Sequence, residues 1–266
     1  VSLVSDDDGG QLNGQDTLTL TSNSYISAGD NGVVTSGNRN TIFANGAIES
    51  SNNGVNLAGD LNEAFVGGSV NARNFGVFAS GDGHEVTITG TVQGDDLGYY
   101  SNGTGNILTI AASGVIRGGN NQDGTETIPY SAVIGFDGMG GSNTLVNNGH
   151  IIADYNITNA RYLAVVAAGS SGSDDGYSQT TTRSLDFTNN GLVEGDVIFA
   201  AGEDDYQGNG TVIGSMDMGG GRDTVTISEG GAFLGGLNHF IDLGEGVGIL
   251  NNDGFLGVSV LGGEDR

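Results

Sequence analysis

The sequence predicts an all-β chain, a β-solenoid with three short strands per coil and roughly ten coils. Three observations carry that prediction. First, a three-part phrase recurs: a β-branched stretch leading to Asn/Ser-x-Gly, a second apolar pair ending in Gly, and a third apolar stretch ending in Gly. The clearest copies run from Ser184 to Gly202 (SLDFTNNGLVEGDVIFAAG), from Asp223 to Gly244, and from Gly248 to Gly263 (GILNNDGFLGVSVLGG). Weaker copies run from His84 to Gly103 and from Asn143 to Ile152. A period of about 20 residues marks a stacked architecture in which each repeat packs only on its neighbours. Second, Gly is 51 of 266 residues while Pro is 1. That ratio fits neither the Gly-every-third pattern of collagen nor a Pro/Gly-rich disordered chain, and it casts glycine as punctuation between strands. Third, stretches such as TVTIS and LTL alternate apolar with polar residues, the period of a strand buried on one face.

The elements follow in order. First strands are anchored by Leu18, Ile42, Val86, Leu108, Leu145, Leu185, Val225 and Ile249. Most have a polar residue just ahead: Asp16, Asn40, Glu85, Asn106, Asn143, Ser184 and Asp223. Second strands are anchored by Ile48, Val92, Ile116, Ile152, Val193, Ile213, Leu234 and Leu256. Third strands carry Val55 with Leu57, Val77, Tyr99, Val133 with Ile134, Val165 with Val166, Val197 with Phe199, Ile241 with Leu243, and Val258 with Val260. No window sustains helical apolar spacing, and glycine interrupts nearly every one. Strands of about four or five residues are too short for a membrane barrel, whose strands need roughly 9–11. Coils stacked in register form parallel sheets rising about 4.8 Å per coil, a rod roughly 50 Å long. The period breaks at Gly119–Tyr130, Ala153–Tyr162 and Gly169–Arg183. Residues 119–183 are therefore expected to carry inserted loops within one solenoid segment spanning 1–266. The repeat runs up to both ends, which predicts a piece of a longer chain.

Composition narrows the function. There are 32 Asp and Glu against 7 Lys and Arg, a net charge of −25, and every cation is Arg. DNA, RNA and anionic membranes are repelled by such a surface. Cysteine is absent, and a stacked β-core does not need disulfides. No apolar run is long enough to span a membrane as a helix, and no signal peptide opens the chain.

The corner GGGRDTVT, Gly219 to Thr226, fits the G-x-G-x-D-x-hydrophobic pattern of a calcium repeat. Gly219 and Gly221 turn the chain so that carbonyls and the Asp223 carboxylate face one cation, and calcium takes six to eight such oxygens. Asp204 and Asp205 supply acid at a second corner, and Gly81 to Glu85 is a poorer copy. The competing reading is an acidic, solvated corner, because the copies lie about 20 residues apart instead of the nine of tandem calcium repeats. The acid pairs Asp95–Asp96, Asp174–Asp175 and Asp204–Asp205 raise a glycan hydrolase or lyase. Adjacent strand residues point to opposite faces, however, and lysine is missing as a lyase base. His84, His150 and His239 are isolated and read as surface or inter-coil hydrogen-bonding residues. Tyr99–Tyr100 and Phe75/Phe78 either stack a sugar or cover the core. Asn45, Asn52, Asn147 and Asn189 read as an asparagine ladder bonding coil to coil.

The stretch NNGLVEGDVIFAAGEDD, followed by GTVIGSMDMGGGRDTVTISEGGAFLGG, resembles the passenger regions of bacterial autotransporters, and GGGRDTVT resembles RTX calcium corners. The autotransporter resemblance is strongest from about Ser184 onward and implies a right-handed parallel β-helix exported to the cell surface. The expected function is an extracellular structural or adhesive solenoid: a stalk, filament or layer element presenting loops, without catalysis. Expected partners are further copies stacked end to end, neighbouring surface subunits, and glycans or a host surface; nucleic acid is not expected. A polysaccharide-active β-helix enzyme and a calcium-dependent folding module are the alternatives.

Overall fold

The computed structural model describes residues 2–118, 132–137, 141–153, 163–167, 169–170, 177–178, 182–235 and 238–262. They form a three-sided solenoid. The first sheet has 11 strands, from Ser2–Ser5 to Phe255–Gly257. The second has 11, from Gly10–Leu12 to Ser259–Leu261, and the third has 10, from Thr17–Leu20 to Glu245–Asn252. Strands enter the three sheets in rotation, and neighbouring coils pair in parallel, as Tyr25–Ala28 does with Ala47–Ser50. The expected fold of about ten three-strand coils is what the chain adopts. A short antiparallel pair, Gly169–Ser170 with Tyr177–Ser178, stands apart from the three sheets. Most of the three expected loop segments lies outside the described residues.

Register explains why the stack tolerates unequal coils. Equivalent positions lie 22 residues apart in the early coils, as between Asn40 and Asn62. The step is 37 from Asn106 to Asn143, 42 from Asn147 to Asn189, and 19 from Leu185 to Asp204. Pairing nevertheless continues without interruption through Thr91, Val115, His150, Leu192 and Thr211. Extra residues leave mainly at corners, because a one-residue slip within a sheet would send every inward side chain to solvent; one extra residue enters the second sheet, between Leu163 and Val165 opposite Asp196 and Val197.

The core is built of columns of inward side chains from all three sheets, including Ile48 and Val92, Val55 and Val77, and Ile42 and Leu108, all fully buried. Small aliphatic residues fill it in the early coils. In the later coils Phe187, Tyr206 and Phe233 meet edge-on, with ring centroids 5.4 and 5.5 Å apart. These T-shaped contacts suit the ring quadrupoles. A second apolar cluster of Leu97, Ala132, Leu163, Val166 and Ile198 lies apart from this core, with Phe75 and Tyr100 packed against it. Beside it the buried Arg183 guanidinium donates to the Phe136 carbonyl at 2.7 Å and pairs with Asp137 at 3.3 Å.

Glycine acts at the corners in two ways. Gly54 is not in the left-handed region; a Cβ there would strike Val70 and the Gly76 carbonyl of the next coil, so close stacking is the reason. Gly221, at φ 135°, needs glycine for its backbone conformation as well, and a Cβ would overlap the Gly202 carbonyl.

Several sequence anchors sit one residue out of place. Ile151, Val212 and Phe233 fill the core where Ile152, Ile213 and Leu234 were expected, and Ile213 is 44% exposed. In the third sheet Leu250 aligns with the column of Leu145 and Val225 where Ile249 was expected, and Phe187 does so two residues on from the expected Leu185, which is also buried. Each one-residue error falls in a run of adjacent apolar residues, where alternation alone leaves the phase open and only the neighbouring coil sets it. The Ile151→Ala variant should lose about 2–5 kcal/mol of stability through the cavity left behind. Ile213→Ala should stay within about 0.5 kcal/mol of the parent. Urea denaturation of both proteins checks the assigned phase, and equal losses would contradict it.

Candidate functional site

Two of the residues proposed for calcium, Asp204 and Asp223, belong to a polar column at the corner leading into the third sheet. Asp16, Asn40, Asn62, His84, Asn106 and Asn143 occupy equivalent positions in successive coils, one residue before the paired strand segments. From Asn40 onward, each side chain accepts the backbone N–H of its equivalent in the preceding coil. Asn40 Oδ1 accepts from Asp16 at 3.1 Å, and Asn62 Oδ1 from Asn40 at 2.8 Å. His84 Nδ1 accepts from Asn62 at 3.2 Å, Asn106 Oδ1 from His84 at 2.7 Å, and Asn143 Oδ1 from Asn106 at 2.9 Å. The next coil has Leu185 at this position, with no side-chain acceptor to offer. The pattern then resumes with acids: Asp204 Oδ1 accepts from Leu185 at 2.6 Å and Asp223 Oδ1 from Asp204 at 3.0 Å.

The local backbone makes this arrangement possible. The residue before each early column member lies in the left-handed region: Gln15, Arg39, Leu61, Gly83 and Gly105 have φ of 55°, 60°, 55°, 69° and 68°. The N–H that follows is received by a side chain of the next coil, and such an acceptor is needed because a buried amide without one is costly. The amide group of Asn serves both ends of the problem. Asn40 Nδ2 donates to the Gly37 carbonyl at 2.8 Å, Asn62 Nδ2 to Ala58 at 3.1 Å, and Asn143 Nδ2 to Gly103 at 3.2 Å.

An ionised Asp has no such donor. Asp204 and Asp223 are 2% and 1% exposed, and the second oxygen of each, Oδ2, is enclosed without a hydrogen-bond partner. Burial pushes Asp204 up to about 7; the Leu185 N–H opposes the rise, and Asp223 and Asp186 add to it. Burial pushes Asp223 up to about 6, against the bond from the Asp204 N–H and with the charge of Glu203. His84 is held below its ordinary value, chiefly by burial, which keeps Nδ1 free to accept.

The other expected site residues separate from this pair. Asp205 pairs with Asp186 and Thr224 on the third sheet, and its Oδ2 accepts from Gln207 at 2.7 Å. Asp204 and Asp205 therefore face opposite ways, as alternation along a strand requires. Gly219 and Gly221 form the turn ahead of Asp223, fastened by the Gly219 N–H to Asp217 Oδ1 at 2.9 Å. Gly244 and Gly246 repeat that turn one coil on, with Asp242 Oδ1 accepting from the Gly244 N–H at 3.0 Å. Among the described residues the one group of three acids within metal-ligand reach is Asp7, Asp8 and Asp30, which the sequence reading did not single out. Hydrogen bonds from Asn31 and Gln11 outweigh burial and leave the Asp8 carboxyl below its ordinary value.

The asparagine ladder exists in three of its four expected members. Asn147 Nδ2 donates to Asn189 Oδ1 at 2.8 Å, and each Oδ1 accepts the N–H of the glycine two residues on. That short loop is the physical content of the Asn-x-Gly phrase. Asn52 links Asp30 to Asn74, whereas Asn45 is exposed. Tyr99 packs in the core, while Phe75, Phe78 and Tyr100 form an aromatic cluster with centroids 5.0 to 5.6 Å apart. His150 is exposed and His239 lies 3.9 Å from Asp196. Asp174 and Asp175 lie outside the described residues. Comparisons of the chain with protein-family models, with curated proteins and with solved structures return no match.

A carboxyl whose folded value is raised stabilises the fold only while protonated. The unfolded group ionises near 4, so stability falls as pH rises from there through about 7. In chelator-treated buffer, Asp204→Asn should therefore be more stable than the parent at about pH 8, by on the order of 2 kcal/mol, with the advantage fading towards pH 4. Urea midpoints across this range check it; a less stable variant at the alkaline end would contradict it. Asn106→Ala strands the His84 N–H and should cost about 1–3 kcal/mol, whereas Asn45→Ala should cost little.

Proposed function

We propose that this chain is a rigid structural and adhesive scaffold of an exported bacterial surface protein, without catalytic activity. The supporting observation is that three parallel sheets continue across coils whose steps range from 19 to 42 residues, with a single register shift among the described pairs, at Leu163–Val165 of the second sheet. A scaffold of this kind keeps its rod constant while segments of differing length leave its corners. Loops on such a frame are where binding commonly resides. The resemblance to autotransporter passenger regions and the charge of −25 suit an extracellular setting. Among the described residues no helix is long and apolar enough to cross a membrane.

End-to-end packing of copies extends this reading. The outermost strands leave inward-column residues uncovered: Leu3, in register with Ile26, is 41% exposed at one end, and Val260, in register with Ile241, is 41% exposed at the other. Their unpaired edges offer backbone groups to another coil. Multi-angle light scattering should show mass rising with concentration, and Leu3→Lys with Val260→Lys should leave a monomer. A parent that stays monomeric at high concentration would contradict this extension.

Calcium binding at the corners of Asp204, Asp205, Gly219, Gly221 and Asp223 is a second reading, favoured by the partnerless Oδ2 atoms of Asp204 and Asp223. It requires turn carbonyls or water for most of the six to eight oxygens calcium takes. On this reading, millimolar calcium at about pH 8 raises the melting temperature and chelator reverses the rise, because bound calcium replaces the proton. Identical melting curves would remove it.

A further inference from the structure

A groove of about 470 Å³ runs along the rod where the first sheet turns towards the second, over the second to fifth coils. That volume lies within the range of small-ligand sites. Its construction follows from the stack. Outward positions of successive first-sheet strands place Ser27, Glu49, Asn71 and Gln93 in one row along one wall. The strand-end positions beside them are Ala28, Ser50 and Ala72, side chains too small to fill the space. Arg73 and Asp95, from the corner itself, contribute to the opposite wall.

The chemistry of the two walls is specific in kind. They offer hydroxyls, two carboxylates, two carboxamides and a guanidinium, so both donors and acceptors line the trough. The Glu49 carboxylate is held by the Tyr25 hydroxyl at 2.6 Å, which fixes one acceptor in place. The Ser50 hydroxyl is enclosed at the floor without a hydrogen-bond partner. No large apolar side chain lines the trough, so it does not suit a peptide's hydrophobic anchors. A chain of vicinal hydroxyls matches it, because each hydroxyl both donates and accepts. Rows recur at about 4.8 Å, so an extended polymer with a short repeat meets a polar group at every step. Glu49 and Asp95 outnumber Arg73, and the molecule carries −25 overall, which disfavours a polyanionic glycan.

We propose that this groove is a binding site for a neutral linear polysaccharide lying parallel to the rod. The site goes beyond the scaffold reading and does not depend on assembly, since a monomeric rod presents it equally. The full chain should be titrated by isothermal calorimetry with neutral hexasaccharides of β-1,4-glucan, β-1,3-glucan, β-1,4-mannan, β-1,4-xylan and α-1,4-glucan. A hexagalacturonate and a mixed-sequence peptide pool serve as competitors of other classes. At least one neutral hexasaccharide should bind, and Asn71→Ala with Gln93→Ala should weaken it by about tenfold or more. Ser51→Tyr, which fills the groove from an exposed position, should abolish binding with the circular dichroism spectrum unchanged. Thr87→Ala with Thr109→Ala, on the third sheet, should leave affinity as in the parent. The proposal is overturned if none of the neutral glycans binds, if binding survives both groove variants, or if only the anionic glycan or the peptides bind.

Discussion

Stacking parallel coils creates a problem that the in-sheet hydrogen bonds do not solve. At the corner before the third sheet the early coils turn through a left-handed residue, and the following N–H goes to a side chain of the next coil. Each coil must meet that amide with an acceptor placed by the coil after it. Asn40, Asn62, His84, Asn106 and Asn143 do so in sequence, and Asp204 and Asp223 do so further on. Because the acceptor and the amide occupy equivalent positions, a coil that slips by one residue loses the bond and exposes its core face together. The column and the apolar interior therefore specify the same register. Agreement between a local polar requirement and global packing is what makes one structure preferred over its near neighbours.

The column also shows what chemistry the position will accept. An amide satisfies the neighbouring N–H with its oxygen and the turn carbonyl with its nitrogen. A neutral imidazole serves as acceptor through Nδ1, and burial keeps it neutral. A carboxyl fits both demands only with a proton on its second oxygen, which is why the later coils tie their stability to pH while the asparagine members do not. The change of residue type follows the longest insertions, where Leu185 interrupts the pattern.

Much of the architecture was legible in the residues because the repeat displays its period in glycine and asparagine. The phrase Asn-x-Gly is an asparagine side chain bonding its own turn, and Gly-Val pairs mark corners where backbones touch. Five column members, Asp16, Asn40, Asn106, Asn143 and Asp223, were visible as polar residues ahead of apolar strands. His84 was obscured by the charged Glu85 beside it, and Asn62 by the small Ala64, which makes a poor anchor. The 22-residue spacing from Asn40 through Asn106 is the signal that would have found both. Side-chain phase was harder to read: Ile151 and Ile152 are chemically interchangeable, and only the partner strand decides which turns inward. The groove was not legible at all, because it arises from small residues of different coils brought side by side.

A rod with an internally fixed register, a polar trough on one flank and unpaired strand edges at its extremes is suited to holding and presenting contacts. All of these features depend on the corner column. Residue-resolved amide hydrogen exchange tests that dependence most directly. The account predicts that the Asn40, Asn62, His84 and Asn106 amides exchange only with opening of the core strands, as slowly as Ile42 and Leu108. Exchange of those four amides at the rate of exposed turns, while the strands stay protected, would contradict it.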